Sequence, residues 1–378
     1  MPGPEFVVEL REFIDAHTPV VDNPAFVRAL GEAGWVAPHW PVEYGGRGLS
    51  EHEAFAVYAE LDERELPRQP RGSGFILAAP TIMQWSEEAT KRRFLPPIAS
   101  GAERWCQLFS EPGAGSDLAS LATTAVRDGD EWIVNGQKVW TTYGHESEMA
   151  MLLARTNPSA PKHAGITYFG LDMRAPGVEI RPLVQMTGET EFNEVFLTDV
   201  RVPDQFRISP VDDGWGATQT TLGAERFALS GARKKKKASD EILGGKTIEN
   251  VIDLARSLGD GLSAVHRDDV VRAYVDNKVL GVTTARRVHG SLSKIAKART
   301  NQQLQLVAID LLGARATAWR AGDDETPGFV RELLRTRANS IEGGTSEIQR
   351  NIVGERVLGL PREPDPFKGA SWQDVPRS

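Results

Sequence analysis

The chain has only one cysteine, Cys106, among 378 residues. A single thiol excludes an intrachain disulfide, and no group of cysteines and histidines has the spacing of a zinc site, so no metal is expected. The expected compartment is therefore the reducing cytoplasm. Residues Met1 to Glu9 contain neither the basic nor the apolar region of a secretory signal, so none is predicted.

Long apolar runs and a surplus of positive charge are also missing. No stretch of about 18 apolar residues occurs, so no membrane insertion is predicted. The net charge is −8 and the isoelectric point is near 5.5. This balance disfavours a nucleic-acid partner, because phosphate binding needs a basic surface. The 40% apolar and 25% charged residues that remain are typical of a globular protein of two or three domains.

The hydrophobic period divides the chain into zones. Residues 1–103 have helical spacing and predict an N-terminal helical domain, whereas residues 104–210 alternate with a period of two and predict an all-β domain. Helical spacing returns over residues 211–361, as in Leu304, Val307, Ala308 and Leu311. Residues 362–378 are rich in proline and polar side chains, and we expect them to form a loose tail.

The middle zone has the clearest local signals. Alternating residues from Glu131 to Trp140 flank Asn135-Gly136, and this pair predicts a two-residue hairpin turn. Further strands are predicted over Ile166–Met173, Val178–Val184 and Phe192–Val202.

The segment from Phe109 to Asp117 is the first candidate site. Gly113 and Gly115 allow the backbone to approach a ligand closely, and successive amides can bind an anion. It is not a dinucleotide-binding fingerprint, because Leu118 occupies the place of the third glycine and no βαβ unit surrounds it. Taken alone, the segment fits a tight turn into the β-domain better than a ligand site.

Trp140 and Thr142 form the second candidate. An indole offers a flat apolar wall, and a threonine offers a hydroxyl group and an amide, which together suit an isoalloxazine ring. On these residues alone, a tryptophan in the core of an edge strand is the better interpretation.

The third candidate is a glycine pair, Gly343 and Gly344, before a predicted helix. Ser346 and Gln349 fit a capping box at the start of that helix. A helix N-terminus opened by glycines is a natural phosphate site. An ordinary loop and helix start is equally compatible with the pattern.

Together, the order and spacing of these segments resemble the acyl-CoA dehydrogenase family over residues 5 to 361, including Trp40–Gly46 and Glu355–Pro361. The resemblance implies an α+β multi-domain fold with an N-terminal helical domain, a middle β-barrel and a C-terminal four-helix bundle. It implies FAD as cofactor, an acyl-CoA as substrate and dehydrogenation between the α and β carbons. It also implies an electron-transfer flavoprotein as the acceptor.

The resemblance further implies a role for each matching position. Phe109 and Ser110 would lie along the pyrimidine side of the flavin, and Gly115 and Ser116 at the pyrophosphate or the substrate's thioester end. Trp140 and Thr142 would hold the dimethylbenzene side and N5, and Thr345 and Glu347 would contact the adenosine diphosphate portion.

In the family reaction a carboxylate removes the α-proton while hydride leaves the β-carbon for flavin N5. One branch keeps this glutamate immediately before Gly-Thr, where this chain has Gly343. A branch that resembles the isovaleryl- and long-chain enzymes carries it in an earlier Glu-Arg pair, which Glu225 and Arg226 match. The resemblance thus implies Glu225 rather than Glu342 as the base, with Arg226 serving the CoA moiety. The alternative for Glu225 is an ordinary helix-surface carboxylate.

Two motifs of the family are missing. His266–Arg272 stands where Arg-x-x-Phe-Gly is usual, and Asp310–Gly313 replaces Gln-x-x-Gly-Gly. In the family this first motif reaches the FAD of the partner subunit, so the cross-subunit half of the flavin site departs from the family pattern here. The resemblance leaves two assemblies open: a homo-oligomer, or an α2β2 heterotetramer of two different subunits, as in actinobacterial relatives that act on steroid side chains. A non-catalytic subunit and an acyl-CoA oxidase are the competing functions.

The run Arg233–Lys237 is interpreted as a solvated loop or helix end rather than a site for a CoA phosphate.

Overall fold

The computed structural model describes residues 5–229, 244–286, 288–317 and 325–376. The contacts between residues divide the chain into two compact units. The first consists of Met1–Leu183, Thr190–Thr221 and Phe367–Ser378, and the second of Val184–Glu189 and Leu222–Pro366.

Helices precede the sheet in the first unit: α1 (Glu5–His17), α2 (Asn23–Glu32), α3 (Glu51–Glu63), α4 (Ala79–Trp85) and α5 (Glu88–Ser100). Helix α3 begins with a capping box, in which Ser50 and Glu53 each accept the other's backbone N–H. Leu30, Trp35 and Leu61 are buried in the core that these helices share. The predicted N-terminal helical domain is confirmed.

One curled sheet of seven strands follows: β1 (Trp105–Leu108), β2 (Thr124–Asp128), β3 (Glu131–Thr142), β4 (Met149–Arg155), β5 (Ile166–Asp172), β6 (Val178–Leu183) and β7 (Phe192–Pro203). Its order is β1-β4-β2-β3-β7-β6, with β5 paired to β4. Strands β1 and β4 are parallel, and β3 pairs with β7 in antiparallel fashion. The all-β middle zone is confirmed.

The hairpin predicted at Asn135-Gly136 is wrong. Strand β3 continues through both residues, and the register shifts there as in a β-bulge. The turn lies earlier, at Gly129, which has a φ of +65° and joins β2 to β3.

Two contacts explain the bulge. The Asn135 side chain donates to Asp199 Oδ1 at 3.0 Å and accepts from the Asp199 backbone N–H at 2.9 Å. Both bonds attach it to β7. A Cβ atom at Gly136 would lie 2.3 Å from Thr123 Oγ1. The Asn-Gly pair therefore permits a close approach between strands rather than a turn.

The final segment, Phe367–Ser378, belongs to the first unit. Ser371 forms a β-bridge with Pro161, and the Trp372 side chain is buried. The expectation of a loose tail is corrected for this segment, because one aromatic residue anchors an otherwise polar stretch.

The later helices are α6 (Gly214–Leu229), α7 (Ile248–Ser257), α8 (Ala264–Ala285), α9 (Gly290–Leu312), α10 (Glu325–Thr336) and α11 (Ser346–Ile352). The second unit has a core to which α7 and α9 contribute Val251, Leu304, Ala308 and Leu311. The predicted return to helix is thus confirmed. Within the ranges that the structure describes, no helix combines the length and apolarity needed to cross a membrane.

Candidate active site

The segment after β1 runs beside β3. Phe109 is buried and packs edge-on against the Tyr168 ring, with 5.7 Å between ring centroids. The backbone carbonyl of Ser110 accepts a hydrogen bond from the Val139 N–H at 2.9 Å. This bond joins Ser110 of the first candidate segment to β3 at Val139, the residue directly before Trp140.

A buried ion pair holds the same segment in place. Lys138 Nζ donates to Glu111 Oε1 at 2.8 Å and to the Phe109 carbonyl at 3.1 Å. Glu111 also accepts the backbone N–H groups of Ala122 and Thr123. Burial alone would raise the pKa of Glu111, but Lys138 and these amides outweigh it, so the pKa of this carboxyl lies below its ordinary value.

Trp140 is an exposed aromatic wall. The register of β3 against β7 shifts between Lys138 and Thr141, and Trp140 takes a φ of +62°. Its side chain is 60% exposed, and its ring meets Phe192 edge-on at 5.8 Å. The interpretation of Trp140 as a core residue is therefore wrong, while Thr142 is exposed two residues further on.

The loop around Gly113 and Gly115 is largely exposed to solvent. Gly115 and Ser116 are exposed, and a Cβ atom added at Gly113 or Gly115 would meet no atom within 4 Å. A cavity of about 390 Å³ opens beside this loop; its lining residues are Glu111, Pro112, Gly113, Ser120, Ala122, Thr123, Gly136 and Gln137. Across the described ranges, no three His, Cys, Asp or Glu side chains come together as metal ligands.

Glu225 is half-buried on α6. One helical turn earlier, the buried Thr221 hydroxyl bonds to Thr81 Oγ1 at 2.7 Å and to the Tyr168 hydroxyl at 3.1 Å. These bonds fix the part of α6 that precedes Glu225. The side chain of Arg226 and the run Arg233–Lys237 lie outside the described part of the chain.

Glu342, the other candidate base, is engaged in local contacts. Arg335 Nη2 lies 3.1 Å from Glu342 Oε2, and Asn339 Nδ2 donates to Glu342 Oε1 at 2.9 Å. Such a set of partners is typical of a structural carboxylate.

The glycine pair before α11 has left-handed backbone angles, with φ of +62° at Gly343 and +87° at Gly344. The helix cap is Thr345 rather than Ser346, because the Thr345 hydroxyl accepts the Ile348 N–H at 3.2 Å. The predicted capping box of Ser346 and Gln349 is therefore wrong, because the residue three positions after the cap is Ile348, whose side chain cannot accept a hydrogen bond. Glu347 is exposed and pairs with Arg350 at 3.2 Å.

Sequence reasoning missed two buried lysines. Lys138 follows the inward-facing alternation of Trp132 and Val134 on β3, so that pattern could have revealed it. Lys294 donates to the Gly344 carbonyl at 2.7 Å from α9, and its burial lowers its pKa although nearby acidic residues oppose the shift. Nothing in the local pattern distinguishes Lys294 from an ordinary helix lysine.

Comparisons with known proteins agree with this architecture. Family models described as the N-terminal, middle and C-terminal domains of acyl-CoA dehydrogenase match residues 6–102, 106–200 and 269–358. Acyl-CoA dehydrogenase IpdE1 of Mycobacterium tuberculosis is 38% identical over 92% of this chain and 90% of its own length. The chain belongs to the acyl-CoA dehydrogenase family. Members of this family are flavoprotein oxidoreductases.

Solved structures of acyl-CoA dehydrogenases share the fold. A structure titled Tcur3481-Tcur3483 steroid ACAD has a TM-score of 0.72 and 27% identity, covering 95% of this chain and 97% of that one. The ChsE4-ChsE5 complex of Mycobacterium tuberculosis has a TM-score of 0.69 and 27% identity, covering 96% and 100%. The implied family fold is thereby confirmed.

Proposed function

We propose that this chain catalyses FAD-dependent α,β-dehydrogenation of an acyl-CoA thioester with Glu225 as the base. The observation that carries the proposal is the hydrogen bond from the Val139 N–H to the Ser110 carbonyl, because Val139 directly precedes Trp140 on β3. It joins a polar, glycine-rich segment to an exposed aromatic ring, and a flavin needs both.

The residues of the first unit fit the flavin. Trp140 offers an apolar face, and the Ser110 and Thr142 hydroxyl groups offer polar contacts beside it. Exposed amides around Gly115 and Ser116 suit a pyrophosphate. In the second unit, Thr345 and Glu347 would hold the adenosine diphosphate portion. When bound, FAD supplies the acceptor for the hydride that leaves the β-carbon.

We assign proton removal to Glu225. Glu225 matches the Glu-Arg pair of one branch of the family and is half-buried on α6, and a general base works best where bulk water is partly excluded. Charge that develops on the thioester oxygen needs hydrogen-bond donors. We place Ser116 near that end of the substrate and Arg226 at the CoA moiety.

Two of the similar structures guide the choice of substrate and partner. One is described as a steroid acyl-CoA dehydrogenase, and the other as a complex of ChsE4 with ChsE5. A steroid side-chain acyl-CoA therefore belongs among the first substrates to test. An electron-transfer flavoprotein is the proposed acceptor.

A second candidate is a subunit that completes its FAD site only with a related chain. The absence of Arg-x-x-Phe-Gly at His266–Arg272 favours it, because this motif supplies the cross-subunit flavin contact in the family. The visible spectrum of the isolated chain distinguishes the two candidates.

The role of Glu225 is tested by Glu225→Gln, with Glu342→Gln as the matched control. We expect Glu225→Gln to retain FAD but to bleach it at least roughly 100-fold more slowly when acyl-CoA is added without oxygen, because the amide cannot accept the proton. Glu342→Gln should bleach within about threefold of the wild-type rate. Bleaching by Glu225→Gln at a near wild-type rate would remove Glu225 from this role.

A further inference from the structure

The final segment of the chain closes over two loops of the β-domain. The Trp372 N–H donates to the Ala160 carbonyl at 2.9 Å, and the Gln373 N–H donates to the Pro158 carbonyl at 3.2 Å. On its other side, Trp372 Nε1 donates to the Ser120 carbonyl at 3.4 Å. We call residues 367–375 the C-terminal strap, residues 112–121 the glycine loop, and residues 157–165 the second loop.

Arg155 lies beneath the strap and binds the same two loops. Its guanidinium donates to the carbonyls of Ala119 at 2.6 Å and Leu121 at 3.3 Å in or next to the glycine loop. It also donates to the Lys162 carbonyl at 2.8 Å in the second loop. The Trp372 ring covers this guanidinium at 4.7 Å, and both side chains are buried. Removal of the ring would open Arg155 to water and weaken its hold on the loops.

The glycine loop is exposed at Gly115, Ser116 and Asp117, and a Cβ atom added at Gly115 would meet no atom within 4 Å. Its start is restrained, because Ala114 is buried and exchanges two backbone hydrogen bonds with Glu111. Outside the strap, Lys162 ties the two loops together through Asp117, with both carboxylate oxygens 2.9 Å from Nζ. A loop whose amides must face an anion binds it more tightly when it is ordered in advance.

We propose that Trp372 is a positioning residue that holds the glycine loop in the conformation that binds a pyrophosphate group. The inference rests on the proposed function, because it takes the ligand to be a pyrophosphate of FAD or of CoA. Trp372 acts through Arg155 and the Ser120 carbonyl, from outside the loop itself.

The experiment compares the full-length chain with Trp372→Ala, Trp372→Phe and the control Gln373→Ala. Gln373 lies in the same strap with an exposed side chain, and its contact with Pro158 comes from the backbone, which the substitution leaves intact. The dissociation constants for FAD and for coenzyme A are measured separately on flavin-free protein. Hydrogen exchange of the glycine loop and the second loop is recorded without ligand.

Trp372→Ala should speed exchange in both loops and weaken one of the two ligands about tenfold. Trp372→Phe should recover most of the affinity, since it keeps a ring over Arg155, and Gln373→Ala should match the wild type. If Trp372→Ala weakens the binding of FAD, the loop is assigned to the flavin pyrophosphate. If it weakens the binding of coenzyme A instead, the loop is assigned to the substrate. If Trp372→Ala does not fold, Trp372→Leu takes its place, because it keeps an apolar side chain but has no aromatic face.

Faster exchange with both affinities unchanged would overturn the positioning role and leave the proposed function standing. A wild-type chain that binds neither FAD nor coenzyme A would overturn the proposed function and the positioning role together. The wild-type titrations therefore separate the two failures.

Discussion

At the scale of single residues, Trp140 carries most of the argument for a flavin site. A left-handed backbone at a residue other than glycine costs on the order of 1–3 kcal/mol, and such residues cluster at functional sites. Here that conformation holds a large apolar ring 60% exposed to solvent. An ordinary structural tryptophan would bury its ring, as Trp35 and Trp105 do.

We expect Trp140→Ala to raise the dissociation constant for FAD about tenfold, because the flavin loses its apolar wall. Fluorescence titration of flavin-free protein measures this change. Phe55→Ala is a suitable control, since Phe55 is 73% exposed on α3 and has no proposed contact with the flavin. Equal FAD affinity in Trp140→Ala and wild type would show that the ring does not stack on the cofactor.

The sequence identified Trp140 only by resemblance. Alternation along a strand tells which face a residue is on, and Trp140 shares the phase of the buried residues Trp132 and Lys138. The bulge between Lys138 and Thr141 changes that alternation, and no local signal marks its position. By contrast, Lys138 keeps the inward phase of β3, so its burial follows from the pattern, whereas its partner Glu111 lies on another segment and does not.

At the scale of elements, β3 shows why the Asn-Gly signal failed. The pair is favoured in hairpin turns because both residues tolerate positive φ. In this strand the glycine meets a different need, the close approach of Thr123. Two distant partners, Thr123 and Asp199, therefore decide the outcome, and a window on the local sequence contains neither of them.

Gly136→Ala should lower the free energy of unfolding by about 2 kcal/mol, because its Cβ atom would overlap Thr123 and force the strands apart. Gly113→Ala is the matched control, since the same methyl group meets no atom within 4 Å and Gly113 has no positive φ. Its stability should change by no more than about 1 kcal/mol. Urea unfolding of both variants provides the comparison, and equal stabilities would refute the steric explanation.

At the scale of the whole molecule, the hydrophobic period predicts the order of the zones, because it changes from helical spacing to alternation and back again. Core positions such as Val251 and Leu304 were found in the same way. The buried anchor Trp372 was not, because it stands alone in a polar stretch and its partners Arg155 and Ser120 lie far away along the chain.

The purified chain should show the absorption bands of oxidised flavin, with about one FAD per chain, if its site is complete in a homo-oligomer. Anaerobic addition of a panel of acyl-CoA thioesters, including a steroid side-chain thioester, should then bleach these bands. A colourless chain that gains flavin only when a related subunit is added would instead favour the half-site subunit.

The C-terminal strap has a consequence for biosynthesis. The helices and sheet of the first unit are complete by Thr221, yet the strap emerges from the ribosome roughly 150 residues later. At about 5–20 residues per second, this delay is on the order of ten seconds or more. A nascent chain can therefore form the β-sheet well before its glycine loop is secured, and translation that stops early would leave that loop without its last restraint.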